Sequence, residues 1–181
     1  MRVLLVFLAF LVPGTAAAQD LSALTQPGAV ALMRHALAPG TGDPDGFDLD
    51  DCRTQRNLDD RGRAQASRIG EAMRSADVSF DAVWTSQWCR CRDTARLVGM
   101  GPPQDVASLN SHFAGRGDRA AQTRSTRRRI ASQPADARLL LVTHQVNISA
   151  LTGEFARSGE IIVVRREQGA LTVVDRIMIA P

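Results

Sequence analysis

Two unbroken apolar runs constrain the fold of this chain more than any other feature. "AVALM" (29–33) and "LLLV" (139–142) lack the apolar–polar alternation of a half-exposed strand, so each predicts a strand covered on both faces. Each run then stops on polar residues, the first on Arg34 and His35, the second on Thr143 and His144. After the first, "ALAPG" turns at once to proline and glycine, which ends the strand and opens a loop.

The segments around these runs alternate in period. "NLDDRGRAQASRIGEAMRSA" (57–76) predicts a helix that Asp59 or Asp60 can cap, with Ala64, Ile69, Ala72 and Met73 as its apolar stripe. "FDAVWTS" (80–86) predicts a short strand. A second helix should start at about Arg90 and end on Gly99–Gly101, with Pro102 beyond. "RAAQTRSTRRRIAS" (119–132) predicts a third, arginine-rich helix. "NISALTG" predicts a short helix or turn closed by Gly153. "EIIVVRRE" and "ALTVVDRIMI" predict two strands joined as a hairpin at Gln168-Gly169. Strands alternating with helices imply an α/β domain, to which the last hairpin adds an antiparallel edge. Between the first strand and first helix, residues 37–56 are rich in Gly, Pro and Asp; a loop of that length is functional or disordered. Its aspartates (Asp43, Asp45, Asp48, Asp50, Asp51) do not match a calcium-binding loop, so a solvated loop is expected rather than a metal site.

The N-terminus has the layout of a secretory leader: Arg2, an apolar run from Val3 to Val12, Pro13-Gly14, then Ala16 and Ala18 where a signal peptidase reads small residues. Residues 1–18 are expected to be removed as a signal peptide, leaving one domain over 19–181, periplasmic or secreted. A retained anchor is the alternative, although the run is shorter than the roughly 20 residues of a membrane span. No stable membrane insertion is expected after cleavage. The cationic side chains are all arginine, with no lysine, and loss of Arg2 takes one unit from a formal net charge of +3. That balance does not imply nucleic acid. The arginines of "RSTRRR" lack the interleaved aromatics of a nucleic-acid site and suit a solvated helix face. In an oxidising compartment Cys52, Cys89 and Cys91 suggest one disulfide and one free thiol. Cys89 and Cys91 are too near to pair easily, so Cys52 should bridge to one of them; three free thiols are the alternative.

In open α/β sheets the ligand site lies beyond the carboxyl ends of the strands. Two of the chain's three histidines fall at such ends, and Arg34 and Arg90 accompany them. These segments resemble the histidine phosphatase superfamily, the phosphoglycerate mutase-like fold. "LMRHA" is similar to its Arg-His-Gly motif, with Ala36 where Gly is usual. Leu58, Gly62, Gln65 and Ala66 resemble its Leu-x-x-x-Gly-x-x-Gln-Ala helix start. Ser86, Arg90, Thr94 and Ala95 resemble its Ser-x-x-x-Arg-x-x-x-Thr-Ala segment, and "VTHQVNI" its second-histidine segment. The resemblance implies a three-layer α/β/α sandwich with a mostly parallel central sheet and an antiparallel edge strand. It also implies catalysis by His35 and His144, with Arg34, Arg90 and Gln145 binding substrate and no metal or other cofactor. His35 would attack phosphorus to form a phosphohistidine that water hydrolyses, which needs a neutral imidazole. Phosphoryl transfer spreads charge over three equatorial oxygens, which arginine forks suit.

A second departure concerns the proton donor for the leaving group, which one branch of the family carries as a Glu after the second helix. The acid-phosphatase branch carries its proton donor in His-Asp-x-Asn, where this chain has His144-Gln145-Val146-Asn147. Glutamine cannot supply a proton at useful pH. "SLNSHFAGRGDR" offers no Glu, only His112 and Asp118 as titratable replacements. Either one of these donates, or the leaving group is good enough to need little help, as a phosphohistidine would be. Asn147-Ile148-Ser149 matches a glycosylation acceptor but follows the second histidine, where a glycan would block the site, and is discounted. The expected partner is a small phosphorylated compound or a phosphorylated protein. The expected function is an exported phosphatase; the alternative is an envelope protein that binds phosphate in the Arg/His pocket with little or no turnover.

Overall fold

The two apolar runs become neighbouring strands at the centre of one sheet. The computed structural model describes residues 20–167 and 169–179, so the leader expected over 1–18 lies outside the described residues. In chain order the elements are α1 (Ser22–Thr25), β1 (Val30–Arg34), α2 (Asp60–Ser75), β2 (Ala82–Thr85), α3 (Cys89–Val98), β3 (Pro103–Asp105), α4 (Arg119–Ala131), β4 (Leu139–Thr143), α5 (Gln145–Thr152), β5 (Ile161–Glu167) and β6 (Ala170–Ile177). The strand order is β3-β2-β4-β1-β5-β6. The first four strands in that order run parallel, while β5 is antiparallel to β1 and β6 to β5.

Alternation along β1 shows why its sequence has no polar position. Ala31 and Met33 pack into a core with Ala66, Ile69 and Met73 of α2 and Ala95 and Val98 of α3. Val30 and Leu32 pack through the opposite face with Ile130 of α4 and Ile148 and Leu151 of α5. This is the three-layer α/β/α arrangement, and each large side chain so buried contributes about 1.5–3 kcal/mol.

Several local expectations are narrowed or corrected. Asp59, not Asp60, caps α2, its carboxylate accepting from Gly62 N–H at 2.8 Å. The buried stripe of α2 is Gly62, Gln65, Ala66, Ile69, Gly70 and Met73, and Ala64 is exposed. The helix turns its glycines inward because the neighbouring backbone comes too close for a side chain there. Element ends differ from the sequence patterns by one to three residues in both directions: α2 and β2 are shorter, whereas α5 starts at Gln145, two residues before its pattern, and β1 and β4 each run one residue past their apolar runs. β3 and α1 went unread; β3 is "PQD" at the sheet edge, with proline at its first position and no apolar pattern.

The long loop is solvated only in part: Asp45, Asp48 and Asp50 are exposed as expected, but other residues turn inward. Ala38 is buried, Phe47 and Leu49 pack against the core, and the side chain of Asp43 is 5% exposed. A disulfide joins Cys52 to Cys89 with Cα atoms 5.7 Å apart, and Cys91 is free and buried. Among the described residues no helix is long and apolar enough to cross a membrane, and no group of three or more His, Cys, Asp or Glu could hold a metal ion.

Candidate active site

Three adjacent strands, β2, β4 and β1, deliver the polar residues at their carboxyl ends. Arg34 pairs with Thr143 in the parallel register of β1 and β4, so the residues that follow, His35 and His144, sit side by side. Their ring centroids are 5.5 Å apart, at 68°. Arg90 enters from the first turn of α3, just after β2. All three side chains are buried. An α/β sheet places such groups here because each strand end is held by the ladder while the chain beyond it is free to turn.

Hydrogen bonding fixes the protons on both imidazoles. His35 Nδ1 lies 2.8 Å from the Ala36 carbonyl oxygen, which can only accept, and Nε2 receives Arg90 Nε–H at 3.2 Å. His35 therefore carries its proton on Nδ1 and presents the Nε2 lone pair. His144 Nδ1 faces Arg90 Nη2 at 3.5 Å, and its Nε2–H donates to Ser86 Oγ at 2.9 Å. Ser86 in turn donates to Asn110 Oδ1 at 3.2 Å. Burial, and then the Arg90 charge, hold both imidazoles well below the ordinary histidine range, so both are neutral near pH 7.

A cavity of about 230 Å³ opens over these groups. Arg34, Arg56, Arg90 and Arg116 line its cationic side, and Phe113, Val146 and Phe155 its apolar side. Arg34 Nη1 donates to the Ala156 carbonyl at 3.0 Å, and its buried Nε has no partner among the described residues. Arg56 is tied back to the loop, Nε to the Gly42 carbonyl at 2.7 Å and Nη1 to the Ala38 carbonyl. Burial and the charge of Arg90 bring the Arg56 guanidinium down to about 10, which still leaves it cationic. Arg116 stacks over Phe47 at 4.5 Å, Phe47 stacks on Trp88, and Trp88 meets the His144 ring edge-on. Such an assembly can receive one tetrahedral anion and place it against a neutral nucleophile.

Of the residues singled out from sequence, His35, His144, Arg34, Arg90 and Gln145 all reach this cavity. Gln145 starts α5 there and donates from Nε2 to Ser149 Oγ at 2.9 Å. The first turn of α5 thus faces the cavity with the positive end of its dipole. His112 and Asp118 do not line the cavity, although the flanking Ser111 and Phe113 do. Asp118 caps α4, accepting Ala121 N–H at 2.9 Å. His112 is lowered by burial and the Arg119 charge, and its Nε2 is buried without a partner among the described residues. Asn147 is buried, donating from Nδ2 to the Asn110 carbonyl, so the apparent glycosylation site is inaccessible. Sequence reasoning missed Asp43 and Arg56, because both sit in a loop with no period to mark a buried side. Their only signal was proximity to the nucleophile and the helix start.

The model of the histidine phosphatase superfamily (branch 1) matches residues 30–111. Among proteins of curated function, none matches this chain by sequence. Among solved structures, the protein histidine phosphatase SixA complexed with tungstate superposes with a TM-score of 0.59 at 17% identity, over 82% of this chain and 96% of that one. A SixA protein from Agrobacterium tumefaciens gives 0.58 at 22% identity, over 86% and 99%. Phosphoserine phosphatase from Entamoeba histolytica, in complex with 3-phosphoglyceric acid, gives 0.58 at 12%, over 83% and 97%. At these identities the likeness is one of fold.

Proposed function

We propose that this chain, whose residues 30–111 match the model of the histidine phosphatase superfamily, is an exported phosphatase of that family working through a phosphohistidine on His35. The observation that carries the reading is the neutral Nε2 of His35, with its proton held on Nδ1, meeting buried Arg90 in a cavity that Arg34, Arg56 and Arg116 also line. Nε2 attacks phosphorus, the N–P bond forms and the bond to the leaving group breaks. Water then attacks phosphorus, the N–P bond breaks, and inorganic phosphate leaves with His35 restored. Arg34 and Arg90 stabilise the charge on the equatorial oxygens throughout, while neutral His144 lines the same pocket and accepts from Arg90 through Nδ1.

Among the described residues the cavity offers no neutral carboxylic acid to protonate a leaving alkoxide. Gln145 cannot donate usefully, and the carboxyl of Asp43, the acid on the cavity wall, is held ionised by Arg90. General acid catalysis is typically worth about 10²–10⁴ in rate. A substrate whose leaving group departs readily, such as a phosphohistidine or an aryl phosphate, fits such a site best. The fold shared with a protein histidine phosphatase is in keeping with that class. The Cys52–Cys89 bridge supports an oxidising compartment and hence export, with residues 19–181 as the mature domain.

The test is direct. The protein is mixed with a labelled phosphodonor and quenched in alkali, and an acid-labile, base-stable label is sought. The label should form on the unaltered chain and be absent from His35→Ala. A label that persists in His35→Ala overturns the nucleophile assignment. Tight phosphate binding with neither label nor turnover would favour the second reading, a phosphate-binding envelope protein, for which Gln145 is the supporting residue.

A further inference from the structure

Asp43 is the one carboxylate on the cavity wall among the described residues, and it does not sit there idle. Its Oδ1 accepts from Arg90 Nη1 at 2.6 Å and its Oδ2 from Nη2 at 3.3 Å, so it grips the outer edge of the guanidinium. Oδ2 also accepts Trp88 Nε1–H at 3.0 Å, and Oδ1 the Arg56 backbone N–H at 3.2 Å. These four contacts fix the carboxylate, and the carboxylate fixes the arginine.

The five N–H donors of Arg90 can all be accounted for. Two go to Asp43, and one goes from Nη1 to the Arg56 carbonyl at 3.2 Å. The remaining two, on Nε and Nη2, point at His35 Nε2 and His144 Nδ1. Only these two can pass to an incoming anion without breaking a bond to oxygen. They lie on one edge of the fork, in the parallel arrangement that binds two oxygens of a single phosphoryl group. A guanidinium gripped at one edge only by backbone would be free to rotate out of this plane.

We infer that Asp43 is a positioning residue: it holds Arg90 by the outer edge so that the inner edge meets the phosphoryl group in front of His35. The inference rests on the phosphatase reading above. Asp43 touches no substrate and acts through Arg90. Its charge opposes the binding of a dianion, so what it contributes is orientation, and its cost in binding is offset by Arg34 and Arg56.

The experiment is a double-mutant cycle on the full chain, with Asp43→Asn, Arg90→Lys and the pair. Turnover of 4-nitrophenyl phosphate is measured where near-UV circular dichroism shows each variant folded, and labelled phosphohistidine formation serves where turnover is slow. With Arg90 in place, Asp43→Asn should lower kcat about 10–100-fold, the usual range for groups that orient a catalytic residue. In the Arg90→Lys background the same change should cost less than about threefold. Inhibition by inorganic phosphate should be no weaker in Asp43→Asn, since a negative charge has gone. An equal loss in both backgrounds would mean that Asp43 serves the loop rather than Arg90, and weakened phosphate inhibition would count the same way. Normal turnover in the parent with an unchanged Asp43→Asn overturns this inference alone, whereas a parent with no turnover overturns the phosphatase reading with it.

Discussion

A β-carbon built on Gly70 would lie 2.0 Å from the Val98 carbonyl oxygen, and one on Gly62 would lie 1.9 Å from that of Leu37. Both obstacles are backbone, so no side-chain rotation can relieve them. Alanine gains about 1 kcal/mol over glycine in a helix interior, whereas overpacking costs about 1–3 kcal/mol and sometimes more. With the contact so far inside van der Waals distance, overpacking wins. Gly70→Ala is expected to lower stability by about 2 kcal/mol, read as a drop in the urea midpoint; an unchanged or higher midpoint would refute the close approach. Gly62 belongs to a motif legible in the sequence, but the reason for it was not. The carbonyl it must clear is two residues past the nucleophile, and Leu37 N–H is itself held by Gln65 Oε1 at 2.9 Å.

The segment between β1 and α2 is the element that sequence described least well and function needs most. It carries Asp43 and Arg56 into the cavity, and it is tied down twice at Cys89, the first residue of α3. Gln55 Oε1 accepts Cys89 N–H at 2.9 Å, and Cys52 bridges to Cys89, 37 residues away. Cross-linking a loop of that length stabilises by roughly 3–4 kcal/mol in the chain-entropy model. Reduction should therefore lower the unfolding midpoint and, because Asp43 and Arg56 ride on this loop, lower kcat as well. Assays before and after mild reduction check both, and equal activity in the two states would separate the bridge from the site. Sequence left the pairing open between two cysteines, since spacing excludes a neighbour but cannot choose which turn of α3 faces the loop. Cys91 points the other way, its thiol 3.6 Å from the Thr143 carbonyl, and burial pushes it up to about 12.

At the scale of the whole molecule, two neutral imidazoles sealed among guanidinium groups make stability depend on pH. His35 and His144 have folded-state pKa values well below the ordinary value of about 6.5. Below that value the unfolded chain binds protons that the folded chain refuses, so stability falls as pH drops toward the folded values. Each histidine contributes a slope of up to about 1.4 kcal/mol per pH unit in that window. Urea midpoints at pH 7, 6 and 5 should fall steadily, and His144→Asn should make the decline shallower. A flat profile between pH 7 and 5, or the same slope in His144→Asn, would contradict the sealed, neutral pair. The carboxylate of Asp43 adds nothing in this window: its pKa lies below the usual range, burial raising it but Arg90 and Trp88 lowering it further, so its loss comes at lower pH.

By itself the sequence determined the sheet and the ends of its central strands. A short run without polar positions, stopped by turn residues, reads as a strand covered on both faces, and polar residues that end two such runs emerge at one rim once the strands lie parallel. That placed Arg34, His35 and His144 together before any coordinates, and the helix-start pattern after β2 added Arg90. Only the tertiary structure decided the proton positions, the burial of the Asp43 side chain, the approach of Arg56 to the cavity, the removal of His112 and Asp118 from the cavity wall, and the choice of Cys89. The physical reason is range. Periodicity reports which face of a regular element is covered, but in an irregular loop burial depends on contacts with distant residues. Asp43 and Arg90 are 47 positions apart, and nothing local to either one records that they meet.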